Sequence, residues 1–236
     1  MKERPILFSA PMVRAVIAGT KTQTRRVVKP QPPSVEAVRS ISGSDFSIFH
    51  AKVDGAFRVA GPVWAVRYAM GREPEWLCPY GQPGERLCLL SSWATDKRFD
   101  GLRPKDLPID GDDAPAEWGK SVFWTRWDGT EKPAWCGKLR PGRFLPSSLR
   151  WLMPLAEVTG VRVERLHDIT EEDARAEGVT PAPFCKAGRP AGQEHVESFD
   201  GLWREINGVE SWDANPWVWV VNFKRIEARA ENGGTK

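Results

Sequence analysis

Residues 215–226 read NPWVWVVNFKRI, with apolar side chains at odd and even positions alike from Trp217 to Phe223. Successive residues of a strand face opposite sides. A strand with this pattern is apolar on both faces, so it must be central or well covered. A second long strand pattern, LAEVTGVRVERL, runs from Leu155 to Leu166. There Val161, Val163 and Leu166 fall near one face, and Arg162, Glu164 and Arg165 mostly on the other. Shorter strands are expected at Thr22–Val28, at Val63–Tyr68, after the turn in YGQPGERLCLL, and at Ser121–Trp127, which leads into the turn WDGTEKP.

Helices are few and short. Pro11–Ala18 has Pro in its first turn, an apolar stripe of Met12, Val13, Val16 and Ile17, and Gly19 just past its end. DITEEDARAEGV offers Asp168 or Thr170 as cap, acids in the first turn and Gly178 as stop. Ser198–Asn207 carries Phe199, Leu202, Trp203 and Ile206 as a stripe. No internal repeat is visible. Short strands with a few short helices predict an α+β fold, a small β-barrel flanked by helices. One domain is expected over residues 1–228, with long insertions near 30–60 and 95–120 and a flexible tail at 229–236.

The 236 residues suffice for one large domain. The formal net charge is only +3, so anion binding must come from local clusters. No apolar run reaches the ~18 residues of a membrane helix. The apolar part of MKERPILFSAP is too short for a signal peptide. A cytoplasmic protein without a membrane partner is expected. Cys78, Cys88, Cys136 and Cys185 form no CxxC pair and read as reduced thiols. A zinc site from Cys78, Cys136, Cys185 and His195 is conceivable, but its spacing matches no standard pattern. Neither metal nor cofactor is expected. Of the twelve tryptophans, Trp217 and Trp219 read as core. Trp93 is a candidate platform for a base.

Chemistry concentrates in IAGTKTQTRR, Ile17 to Arg26, where donors and hydroxyls crowd a helix exit. Taken alone, the stretch reads as a polar edge strand. With the later motifs it resembles the ASCH domain, a family that shares the pseudobarrel of PUA-type RNA-binding domains. The resembling order is AGTKTQTRR, the PGERL turn and strand, VTGVRVERLHDIT into EEDARAEGV, and the closing WVWVVNFKRI strand. The chain is similar to ASCH-like proteins common in prophages. The resemblance implies recognition of RNA or of a modified nucleoside, with Thr22, Gln23, Arg25 and Arg26 as binding residues beside Trp93.

Small members of the superfamily are amidohydrolases that deacylate N4-acetylcytidine. By that resemblance Lys21 and Thr24 take their lysine and threonine roles, and Glu177 their glutamate role. A lysine of lowered pKa can serve as base for a threonine nucleophile, while a carboxylate orients or shuttles the proton. Residues 21 and 24 of one ideal strand would face opposite sides. They converge only if Lys21 lies in the turn before the strand, or if a bulge intervenes. Prophage relatives read PGDRLWVRETW where this chain reads PGERLCLLSSW. Their arginine and glutamate are Leu90 and Ser91 here, and Cys88 replaces a tryptophan. That loss of charge favours an alternative, a non-catalytic phage adaptor that binds a protein partner through its insertions. A nuclease ranks last, because no acidic metal-binding cluster is evident. Oligomeric state is left open.

Overall fold

The computed structural model describes residues 2–29, 31, 49–50, 75–76, 78–108, 123–125 and 130–226. Among the described residues nine strands are placed: β1 (Glu3–Leu7), β2 (Gln23–Val27), β3 (Phe49–His50), β4 (Glu75–Trp76), β5 (Arg86–Leu90), β6 (Trp93–Thr95), β7 (Phe123–Thr125), β8 (Leu155–Arg165) and β9 (Trp217–Ile226). The α-helices are α1 (Ala10–Ile17), α2 (Glu171–Ala176) and α3 (Glu194–Asn207). Five strands hydrogen-bond in the order β1-β5-β8-β9-β2. The α+β class is therefore as expected, with a sheet and few helices. The chain forms two compact units. One comprises residues 1–19, 86–157 and 225–236, the other residues 20–85 and 158–224.

In the first unit β1 runs parallel to β5, with Glu3 opposite Arg86 and Leu7 opposite Leu90. The start of β8 returns antiparallel, Arg86 facing Glu157. β6 and β7 pair antiparallel, Trp93 against Thr125, inside the range expected for a strand at Ser121–Trp127. Ser9 caps α1 by accepting a hydrogen bond from the Met12 amide (3.4 Å). Gly19 follows α1 at φ +77°, where an L side chain is strained. The core gathers Cys88, Leu90, Trp93, Leu145, Leu149 and Leu155.

In the second unit β2 pairs antiparallel with β9, from Gln23 opposite Asn222 to Val27 opposite Val218. The α2 and α3 side packs Leu166, Ile169, Val196, Phe199, Trp203 and Val220. Trp217 and Trp219 are buried, as a core strand requires. The turn before β9 is held by Asn215 at φ +42°, whose side-chain oxygen accepts the His167 amide (2.9 Å).

Two sequence expectations shift. α3 begins at Glu194, four residues before Ser198. The Glu171 carboxylate accepts the His195 and Val196 amides (2.9 and 3.1 Å), so the cap comes from another helix and is not written locally. Along β8, Val161 and Val163 are only half-buried, so alternation there does not separate a core face from a wet one. The expected strand at Val63–Tyr68, most of the insertion near 30–60, residues 109–120 of the second insertion and the tail at 229–236 lie outside the described residues.

Candidate functional site

β2 begins at Gln23, so Lys21 and Thr22 lie before it. The Thr22 main chain is held from two sides. Its N–H donates to the Ala176 carbonyl (2.8 Å), and its carbonyl accepts from the Phe223 amide (2.9 Å). This draws Lys21 to the C-terminus of α2, which stops at Glu177 and Gly178, the latter at φ +79°. Lys21 Nζ donates to the Glu177 carbonyl (2.8 Å) and to Glu177 Oε2 (2.7 Å). Lys21 is 2% exposed and Glu177 5%. Burial pushes the lysine pKa down. The Glu177 charge opposes that shift, and Arg26 and Arg25 add to it.

Gln23 and Arg25 share one face of β2 and extend the site into a charged network. Arg25 is fully buried and bonds to Gln23 Oε1. Its guanidinium also meets Glu164 Oε1 (2.5 Å), Asp173 Oδ2 (3.1 Å) and Glu177 Oε1 (3.6 Å). Gln23 Nε2 donates to Asp173 Oδ1 (2.9 Å) and Asn222 Oδ1 (2.8 Å). Arg162 closes the ring through Glu164 (2.9 Å) and Asp173 (3.0 Å). Burial works against ionising Asp173, yet the Gln23 hydrogen bond and the guanidiniums of Arg25 and Arg162 hold its pKa at about 2. Glu177 Oε1 and Arg25 Nε are buried without a hydrogen-bond partner among the described residues.

The structure thus brings together Lys21, Gln23, Arg25 and Glu177. Thr24 is buried inside β2 opposite Val221, on the face away from Gln23 and Arg25. Lys21 lies before the strand, and its ammonium is bound to Glu177. Thr22 is exposed and contributes its backbone to the clamp. Arg26 is half-buried and donates to the Arg25 carbonyl (3.2 Å). Arg25, expected as a binding residue for RNA or a nucleoside, is instead engaged with carboxylates. Trp93, expected as a stacking platform, is a core residue of the first unit. It is 0% exposed, with its indole N–H on the Pro141 carbonyl (3.2 Å), and offers no face to a base. Leu90 and Ser91 are buried in that unit as well. Among the described residues, no group of three or more His, Cys, Asp or Glu is placed to hold a metal ion. No helix among them is long and apolar enough to cross a membrane.

No protein-family model matches the chain, and no curated protein or solved structure matches it.

Sequence reasoning missed Arg162, Glu164, Asp173 and Asn222. Three left a signal. Arg162 and Glu164 stand two apart in a strand, hence on one face. Asn222 interrupts an otherwise apolar run. Asp173 read only as an acid of the first turn, and it closes the capping box with Thr170. Its Oδ2 accepts the Thr170 amide (3.4 Å) and also meets Arg25 (3.1 Å), while its Oδ1 accepts from Gln23 (2.9 Å). What the arrangement can do is move a proton. A buried amine donates to a buried carboxylate 2.7 Å away, the separation that proton transfer requires.

Proposed function

We propose that the chain is an ASCH-type protein of the PUA-like barrel class that recognises RNA or a modified nucleoside, and that its Lys21–Glu177 pair cleaves the amide of an N4-acylated cytidine. The reading rests on one observation. Lys21 and Glu177, 156 residues apart in the chain, make a buried 2.7 Å contact. A solvated polar edge strand would have no use for a desolvated lysine, and desolvation is what prepares an amine to act as a base near neutrality.

In this reading Glu177 takes the ammonium proton, and the amine then accepts the Thr24 hydroxyl proton as that oxygen attacks the acyl carbon. The C–N bond breaks, and the proton passes to the cytosine N4. Water then hydrolyses the acyl-threonine, releasing the carboxylic acid and restoring Thr24. Arg25 holds Glu177 in place throughout. The test is incubation of the purified protein with N4-acetylcytidine, followed by chromatography. Cytidine should appear, and Lys21→Ala and Thr24→Ala should each lower the rate about a thousandfold while the circular dichroism stays native. Unchanged rates in both variants would overturn the reading.

A further inference from the structure

The geometry points to a second binding pocket, in the first unit, for a phosphate-bearing nucleobase, either as a free nucleotide or as one residue of a single strand. A cavity of about 670 Å³ lies between the turn around Pro104–Leu107 and the segment Phe144–Ser148. That volume falls within the roughly 300–1,000 Å³ of small-molecule sites. It shares no residue with the Lys21 site.

Its walls divide by chemistry. Leu107, Pro146 and Phe144 give an apolar surface, while Arg103, Lys105 and Ser147 supply polar groups to the same lining. Phe144 is 50% exposed, so one face of its ring is open, and the Arg143 guanidinium lies 4.7 Å from its centroid. Of the lining side chains Arg103 and Lys105 are cationic and none is acidic, in a chain whose net charge is only +3. Cations interleaved with exposed rings are what a base and its phosphate require: the π-face stacks, and the anion meets the cations. An uncharged apolar ligand would leave Lys105 and Arg103 unused. Inorganic phosphate would leave Phe144 unused. Arg103 is already paired with Asp106 (2.5 Å), but both are exposed. Exposed pairs contribute little, and a guanidinium has donors left for a second anion.

The probes are uridine monophosphate and an octauridylate, titrated calorimetrically at low salt into the full chain, into Lys105→Glu and into Phe144→Ala. Both side chains are exposed, so the variants should fold. The expected result is binding by the parent that each substitution weakens about fivefold or more. Tighter binding of the octamer, with affinity falling steeply as salt rises, assigns the pocket to a strand. Equal affinities assign it to a single nucleotide. Binding of neither probe, or binding unchanged by either substitution, overturns the proposal. Turnover of N4-acetylcytidine should stay at the parental rate in both variants, so this proposal and the hydrolase reading fail separately.

Discussion

At the scale of single residues, the second unit spends its charges on one another. Arg25 has no exposed side-chain surface and stands among Glu164, Asp173 and Glu177. Buried charges are tolerable only when paired and hydrogen-bonded, and this network nearly achieves that. Its exceptions are Arg25 Nε and Glu177 Oε1. Among the described residues, Glu177 Oε1 has only the longer 3.6 Å contact with Arg25 in place of a hydrogen bond. Asp173 gives the network a pH signature. Its carboxyl ionises at about 2 in the folded protein, against 3.8 ordinarily. The folded state therefore binds this proton less readily than the unfolded state does. The stabilisation is complete above about pH 4 and is lost as the pH falls through about 2. After solvent screening it amounts to about 1 kcal/mol. Denaturant melts between pH 5 and pH 2 should show that loss in the parent and a shallower one in Asp173→Asn. Parallel slopes would show that Asp173 is not held by its neighbours.

At the scale of elements, α2 matters more than its six residues suggest. Asp173 sits in its first turn and Glu177 at its end, so one short helix delivers two carboxylates to the network. Its start is fixed by reciprocal bonds. Thr170 Oγ1 accepts the Asp173 amide (3.1 Å), and the Asp173 carboxylate accepts the Thr170 amide (3.4 Å). Its end is fixed by the Thr22 amide and the Lys21 ammonium. Thr170→Ala should lower stability by about 1 kcal/mol. It should also reduce turnover, because Glu177 loses its anchored helix. Lost stability with parental turnover would mean that α2 is positioned by its C-terminal contacts alone. Much of this element was legible: the cap, the acidic first turn and the glycine stop all stand in DITEEDARAEGV. The start of α3 was not legible, because its cap is the side chain of Glu171. Trp93 misled for a related reason. An aromatic after a turn reads the same whether a base or a core will cover it, and here it is the core.

At the scale of the whole molecule, the alternation of long strands and short helices was enough to give an α+β chain with β9 buried on both faces. The division into two compact units was not foreseen, because each unit is assembled from segments far apart in sequence. The link between Lys21 and Glu177 entered only through the resemblance, since no spacing rule joins residues so distant. The decisive measurement is release of cytidine from N4-acetylcytidine by the purified chain, beside the double variant Lys21→Met/Glu177→Leu. Replacing both partners of a buried ion pair by apolar side chains of similar size costs far less than removing one, so the double variant should fold. The Lys21–Glu177 proposal predicts cytidine from the parent and none above background from the double variant. Equal release by the two proteins, or none from the parent at high concentration, would contradict it.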